Sequence, residues 1–298
     1  MKISNEFEAP QIFVDAVKDL TYRPNEDALY VTQLPNPPMI RHLMLKYWDE
    51  FEVDVSDMFY RLDGVALHSI IEKAAKNNPD LVAELSLSLP KDLFGIKISG
   101  RLDIWHTKKK EIIDVKNTGV MSVKLGIKPE WTFQLNVYRY MLWKLKGGDI
   151  NDVASRLSIA LKLRDWMASK TIEPDYPRSP FLYIPIPSWS VEKTEEKIRA
   201  CVERYTTKPV PQCSDEDRWK TPDCYAIMRR GVKKAVVATI VKDGKRIPIP
   251  SYEEAERIIR ERKLKGVTIE HRKGMYRRCH GFCDVRHLCR KVNPELWK

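Results

Sequence analysis

The sequence predicts a mixed α/β (α+β) domain, a mixed central β-sheet flanked by helices, followed by a small cysteine-stapled domain. Three observations lead there. Short alternating runs typical of strands interleave with longer runs of helical spacing, the pattern of a layered α/β fold. The chain has 298 residues, 43% of them hydrophobic, which suits one large domain with a real core plus an appendage. All six cysteines (Cys201, Cys213, Cys224, Cys279, Cys283 and Cys289) lie in the last third of the chain.

The elements follow in order. Pro24-Asn25 and the Pro35, Pro37, Pro38 stretch punctuate an N-terminal lead-in. Apolar spacing predicts helices over residues 39–52 and 63–77, the second stopped by Asn78-Pro79. Strands are expected over 85–89 and 96–105. Thr107-Lys108-Lys109-Lys110 reads as a polar turn, and 111–116 as the return strand. A helix over 131–146 stops at Gly147-Gly148. Strands at 157–163 and 181–187 precede a charged helix over 191–205. Pro209-Val210-Pro211 marks a linker and divides the chain into 1–208 and 209–298. The second part is expected to hold a hairpin over 225–240, a helix over 253–263, a strand over 267–271 and the cysteine cluster.

Composition narrows the function classes. No apolar run approaches the roughly 20 residues that span a bilayer. Residues 1–11 are polar and acidic, unlike a signal peptide. A soluble protein of the cytoplasm, or of a host's cytoplasm if phage-encoded, is the expectation. The net charge of +11 favours a polyanionic partner, because Lys and Arg displace counterions from phosphates. A merely solvated basic surface is the alternative. There is no internal repeat, and no Gly-x4-Gly-Lys-[Ser/Thr] phosphate loop, so a helicase-type motor would be a separate chain.

The chemistry concentrates in the hairpin around Lys108 and Lys109. With the turn centred there, Asp103 lies directly opposite Asp114, and alternation puts Lys116 on the face of Asp114. Leu102, Ile104, Ile113 and Val115 then form the opposite, apolar face. Two carboxylates this close need a neutralising cation, and hard oxygen ligands suit Mg²⁺ or Mn²⁺. Such a metal polarises a phosphate and activates water, while the lysine stabilises developing charge. An exposed hairpin with a plain Asp114–Lys116 ion pair is the alternative. Two further pairs at helical i, i+4 spacing accompany the hairpin: His68 with Glu72, and Gln134 with Tyr138.

Together these segments resemble the PD-(D/E)XK nuclease superfamily, and within it the RecB-like branch. Gly64 to His68 with Glu72, Gly100-Arg101-Leu102-Asp103, Asp114-Val115-Lys116 and Gln134-x3-Tyr138 follow the branch's order of motifs. The second motif lacks the proline of the superfamily's name, as is usual in this branch. The resemblance implies a restriction-endonuclease-like core and a metal held by His68, Asp103, Asp114 and the Val115 carbonyl. It implies Lys116 as the catalytic lysine, and Gln134 and Tyr138 as residues that support the site or contact DNA. The stretches Pro37-Pro38, Asp54 to Asp57, Leu163-Arg164-Asp165-Trp166 and Asp215 to Trp219 are similar to phage-encoded members. Arg164 is a candidate phosphate contact, or else the partner of Asp165.

Cys279-x3-Cys283-x5-Cys289 places three soft ligands in one short segment, suited to zinc or an iron–sulfur cluster. Cys213 is the first choice for a fourth ligand and Cys224 the second, with His280 or His287 as substitutes in a zinc site. Cys201 sits in a helix as a small apolar residue. The tail resembles the cysteine cluster of CRISPR-associated and AddB-type RecB-like nucleases, which implies [4Fe–4S] in preference to Zn²⁺. The spacing differs from theirs, with three residues between the first pair. Arg277 and Arg278 are candidate DNA contacts in this basic tail.

The expected function is thus a Mg²⁺- or Mn²⁺-dependent deoxyribonuclease, an exonuclease on DNA ends or single strands in recombination or repair. It would work on DNA and with a separate helicase or recombinase. A structure-specific endonuclease and a non-catalytic DNA-binding subunit of a repair complex are the alternatives.

Overall fold

The computed structural model describes residues 1–242 and 245–297. The chain divides into two compact units, Met1–Pro211 and Gln212–Lys298. The break falls at the end of the Pro-Val-Pro linker, three residues beyond the expected boundary.

The first unit is built on a six-stranded mixed sheet: β1 (Ala28–Tyr30), β2 (Leu81–Leu89), β3 (Lys97–His106), β4 (Glu111–Thr118), β5 (Arg156–Leu163) and β6 (Phe181–Ile186). Its order is β1-β3-β4-β5-β6, with β2 paired to β3. The principal helices are α1 (Pro38–Lys46), α2 (Phe59–Ala75), α3 (Pro129–Lys146) and α4 (Val191–Thr206). Each has a local cause. Pro38 supplies the fixed φ at the first turn of α1, and Pro129 does so for α3. Gly147, at φ 72°, ends α3. Ser190 caps α4 by accepting the Lys193 N–H at 3.2 Å.

The hairpin register is the expected one: Ile104 opposes Ile113, Trp105 opposes Ile112 and His106 opposes Glu111. The next pair in that frame is Asp103 with Asp114, and there the ladder stops. The carboxylate of Asp103 takes the Val115 N–H instead, at 2.7 Å. Both faces of the hairpin are covered. Ile112 alternates with Asp114 yet is fully buried in the main core, and Asp114 itself is 2% exposed. The acidic residues therefore sit in a covered sheet, where Asp103 lines a cleft.

The topology explains where that cleft opens. Strand β2 pairs with β3 antiparallel from Ile98 to His106 and so occupies one whole edge. The other edge carries β1 in parallel at Lys97–Ser99 and β4 at Ile104–His106. Between them, residues 100–103 have no strand beside them on that edge. Helix α3 covers the gap, with Tyr138 lying against Gly100.

Other differences are matters of extent. The lead-in holds a helix at Gln11–Lys18 and a small parallel pair, Lys2–Ser4 with Glu52–Asp54, which sequence periodicity did not reveal. The helix expected over 39–52 ends at Lys46, and β2 begins at Leu81, four residues before the expected strand.

The second unit contains β7 (Cys224–Arg229), β8 (Thr239–Lys242), β9 (Lys245–Pro248), α5 (Tyr252–Glu261), β10 (Val267–Arg272) and α6 (Arg286–Val292). The expected hairpin over 225–240 is corrected. Strand β7 pairs antiparallel with β10, and β8 turns back on β9. Isolated bridges, Ile227 to Val237 and Tyr225 to Ile249, join β7 to the segments that follow it. The reason is burial: Ile227, Val237, Ile249, Ala255 and Ile258 form one small core, which draws the distant β10 to β7. Among the described residues no helix is long and apolar enough to cross a membrane.

Candidate active site

A cleft of about 720 Å³ opens at the gap beside β3. Its lining includes His68, Asp103, Lys116, Gln134 and Tyr138, five of the residues singled out in the sequence. A second hollow of about 570 Å³ adjoins it through Tyr22, Thr32, His68 and Arg101.

Helix α2 presents His68, whose Nδ1 lies 3.5 Å from Asp103 Oδ1 and 3.7 Å from Glu84 Oε1. One ligand atom from each of His68, Glu84 and Asp103 falls within 4.8 Å of the others. Glu84 was not among the expected residues. It lies across β2–β3 from Asp103, because Ala83 opposes Ile104 and Leu85 opposes Leu102. Its backbone has φ 51°, a left-handed conformation rare for a non-glycine residue and costing of order 1–3 kcal/mol. Starting the strand at 85 hid Glu84. Extending the alternation back to Leu81 would have found it.

The group of three comprises two of the expected residues, His68 and Asp103, together with Glu84. Asp114 lies outside the group of three and is engaged by Lys116. The Lys116 ammonium donates to Asp114 Oδ1 at 3.0 Å and to Gln134 Oε1 at 3.2 Å, and lies 2.9 Å from Asp114 Oδ2. That Oδ2 is buried and accepts no hydrogen bond of good geometry. Val115 contributes its N–H to Asp103, and this contact ties the two strands where the ladder fails.

The electrostatics fit a cation. Burial, and then the neighbouring Asp114, raise Asp103 to about 7, against the opposing pull of His68, Lys116 and the Val115 N–H. Burial lowers the Lys116 ammonium, but Asp114 and Asp103 overcome it, so the net shift is upward and the lysine stays charged. A divalent ion would relieve the crowding of Glu84, Asp103 and Asp114. Two carboxylates with an imidazole, and the buried Asp114 carboxylate nearby, are a donor set suited to Mg²⁺ or Mn²⁺.

Tyr138 is 3% exposed, and burial pushes its phenol above the ordinary range, with the Gln134 side chain and the Arg101 backbone opposing that shift by hydrogen bonding. Gln134 thus contacts both the lysine and the tyrosine. Glu72 bonds Lys76 at 2.8 Å and lines the adjoining hollow beside Glu84. Arg164 does not pair with Asp165. Its guanidinium stacks 3.8 Å over the Tyr60 ring, while Asp165 accepts the Val120 N–H at 2.7 Å. Burial lowers the Lys128 ammonium, Glu130 opposes that, and the Arg164 and Lys116 charges add to the lowering. Cations thus gather beside the carboxylates.

In the second unit Cys213 lies near enough to Cys283, Cys289 and Cys279 for their charges to act on it. Backbone bonds from Arg277 N to Trp219 O (3.3 Å) and from Arg278 N to Arg218 O (3.2 Å) join the two segments. The Arg218 guanidinium lies 3.3 Å over the Tyr276 ring. Burial raises Cys213 to about 12, with Asp217, Cys283, Cys289 and Cys279 adding to it. Burial likewise raises Cys283 to about 11. Cys213 and Cys283 are thus held protonated chiefly by burial, and a cationic centre would reverse that preference. Cys224 lies instead on β7, opposite Arg272. Cys201 packs against the main core, as a small apolar residue does. Arg277 is exposed, whereas Arg278 stacks 4.9 Å over Trp219 as part of the frame.

No family model matches the chain, and no curated protein matches it. Among solved structures it is similar to SSO0001 at 18% identity and a TM-score of 0.46, over 67% of this chain and 87% of that one.

Proposed function

We propose that this chain is a metal-dependent nuclease that hydrolyses phosphodiester bonds of DNA. The observation that carries the reading is the convergence of His68, Glu84 and Asp103, with a charged Lys116, where the cleft meets the adjoining hollow. His68, Glu84 and Asp103 would hold Mg²⁺ or Mn²⁺, and Asp114 stands ready to join them or to fix Lys116. When bound, such an ion supplies Lewis acidity and lowers the pKa of water. The chain's own residues do the rest. Lys116, anchored by Asp114 and Gln134, places positive charge where a phosphate oxygen becomes more negative. Lys128 and Arg164 offer further cations to the polymer. Tyr138 holds Gln134 and lines the cleft from α3.

Cys213, Cys279, Cys283 and Cys289 would hold a structural centre, [4Fe–4S] by resemblance or Zn²⁺ in its place. Digestion at a DNA end, within recombination or repair and beside a separate motor, belongs to the same proposal.

The test is cleavage of end-labelled single- and double-stranded DNA with Mg²⁺, Mn²⁺ or chelator. Glu84→Gln, Asp114→Ala and Lys116→Ala should each lower the rate by about 100-fold or more while sparing DNA binding. Parent-like cutting by the Lys116 and Asp114 variants, or undiminished cutting in chelator, would refute the assignment.

A further inference from the structure

The rim of the candidate cleft carries aromatic rings that the proposed chemistry does not use. Tyr22 lines both the main cleft and the adjoining hollow, and is 57% exposed. The Arg61 guanidinium lies 5.2 Å from the centre of its ring, and Tyr30 meets it edge-on at 6.4 Å. Arg61 lines the hollow beside Tyr22, and Tyr30 the cleft beside Asp103. Next to Arg61 in α2, Tyr60 is 59% exposed and holds Arg164 3.8 Å over its ring.

Such exposure runs against burial, because an aromatic ring removed from water stabilises the fold and one left in water does not. The rings are steered by neighbours all the same. Tyr30 packs against Tyr22 with the ring planes at 75°, and a guanidinium lies by each of the Tyr22 and Tyr60 rings. A ring held upright beside a cation at a phosphate-handling cleft is the arrangement that stacks a nucleobase and pairs its phosphate.

We propose that Tyr22, with Tyr30 and Arg61, forms a nucleobase-stacking subsite, which makes an unpaired strand the substrate of the adjoining centre. This rests on the nuclease reading given above. The physical reason for single-strandedness is access. Inside a duplex both faces of each base are covered by its neighbours, so away from a terminal pair a tyrosine can stack only on a base that has left the helix. A cleft of about 720 Å³ is of the size that encloses a small ligand, enough for a nucleotide or two. Stacking is tolerant of base identity, so the subsite selects strandedness and not sequence.

The experiment measures binding without turnover, in chelator, to three fluorescein-labelled probes: a short oligodeoxythymidylate, an abasic oligomer of the same length, and a duplex. The first two carry the same phosphates, so their affinity ratio isolates the contribution of the bases. The parent protein should prefer the thymidylate over the abasic oligomer by about tenfold, and over the duplex. Tyr22→Ala should bring the first ratio close to one, while Tyr22→Phe keeps it. Equal binding of thymidylate and abasic oligomer by the parent, an unchanged ratio in Tyr22→Ala, or equal binding of the duplex would each overturn the subsite. The same preparation assayed for cleavage with Mg²⁺ separates the two proposals. A base preference without cleavage sinks the nuclease reading and leaves the subsite standing; cleavage without a base preference does the reverse.

Discussion

Asp103 carries the sharpest electrostatic conflict among the candidate site's residues, and it gives a prediction of sign. Its carboxyl is raised from 3.8 to about 7, chiefly by burial and then by Asp114. Below 3.8 both folded and unfolded chains hold the proton, and the group has no effect on stability. As the pH rises toward 7 the unfolded chain releases its proton while the folded chain retains it. Folding stability therefore falls across that window, by ~1.4 kcal/mol per pH unit at the steepest. Metal-free protein should melt at a lower temperature at pH 8 than at pH 5. Asp103→Asn should flatten that difference, and Mg²⁺ should restore the parent at pH 8. Equal pH slopes for parent and variant in thermal melts would contradict this account. Glu84 belongs to the same residue-scale picture. Its left-handed backbone places strain beside the Asp103 carboxylate, where a bound cation would reward it.

At the scale of elements, the cleft exists because β3 changes partners along one edge. Strand β1 leaves after Ser99 and β4 arrives at Ile104. The gap between them is roofed by α3, and the roof needs a residue without a side chain beneath it. A Cβ on Gly100 would sit 2.6 Å from Tyr138 Cε1 and 2.8 Å from Val31 Cγ2. Both neighbours are buried, so neither yields easily. Gly100→Ala should cost about 1–3 kcal/mol, read as a lower denaturation midpoint. It should also slow any cleavage, because displaced Tyr138 disturbs Gln134 and, through it, Lys116. A variant as stable as the parent would mean that the roof is looser than these distances state. Arg139 shows how firmly α3 is otherwise held. It is 4% exposed and donates to Ala154 O at 2.6 Å, Asn151 Oδ1 at 2.7 Å and Trp189 O at 3.0 Å.

At the scale of the whole molecule, the two units differ in what holds them. The first has a large core around β3, β4, β5 and α3, while the second buries only a handful of aliphatic side chains around Ile227. A domain that small gains from a staple. Cys213→Ser and Cys279→Ser should each remove the metal from anaerobically purified protein and abolish its visible absorbance if the centre is iron–sulfur. The same variants should lower the melting temperature of the second unit. A colourless protein carrying zinc would reject the iron–sulfur assignment, and full metal content in the Cys213 variant would reject that residue as the fourth ligand.

Some of this was legible in the sequence, for a physical reason. Alternation and a four-residue polar turn determine the local hairpin, so Asp103 faces Asp114 in the frame that periodicity alone suggests. The Pro-Val-Pro linker and the grouped cysteines likewise report on neighbours in the chain. Other features depend on pairing between segments far apart. Glu84 enters the site because β2 lies along the other edge of β3, and the cleft opens because β1 and β4 share an edge without meeting. Cys213 reaches Cys279, Cys283 and Cys289 because two segments some sixty residues apart bond through their backbones. Periodicity describes which way a side chain points from its own strand or helix. What it points at is decided only when the chain closes on itself to bury its apolar surface.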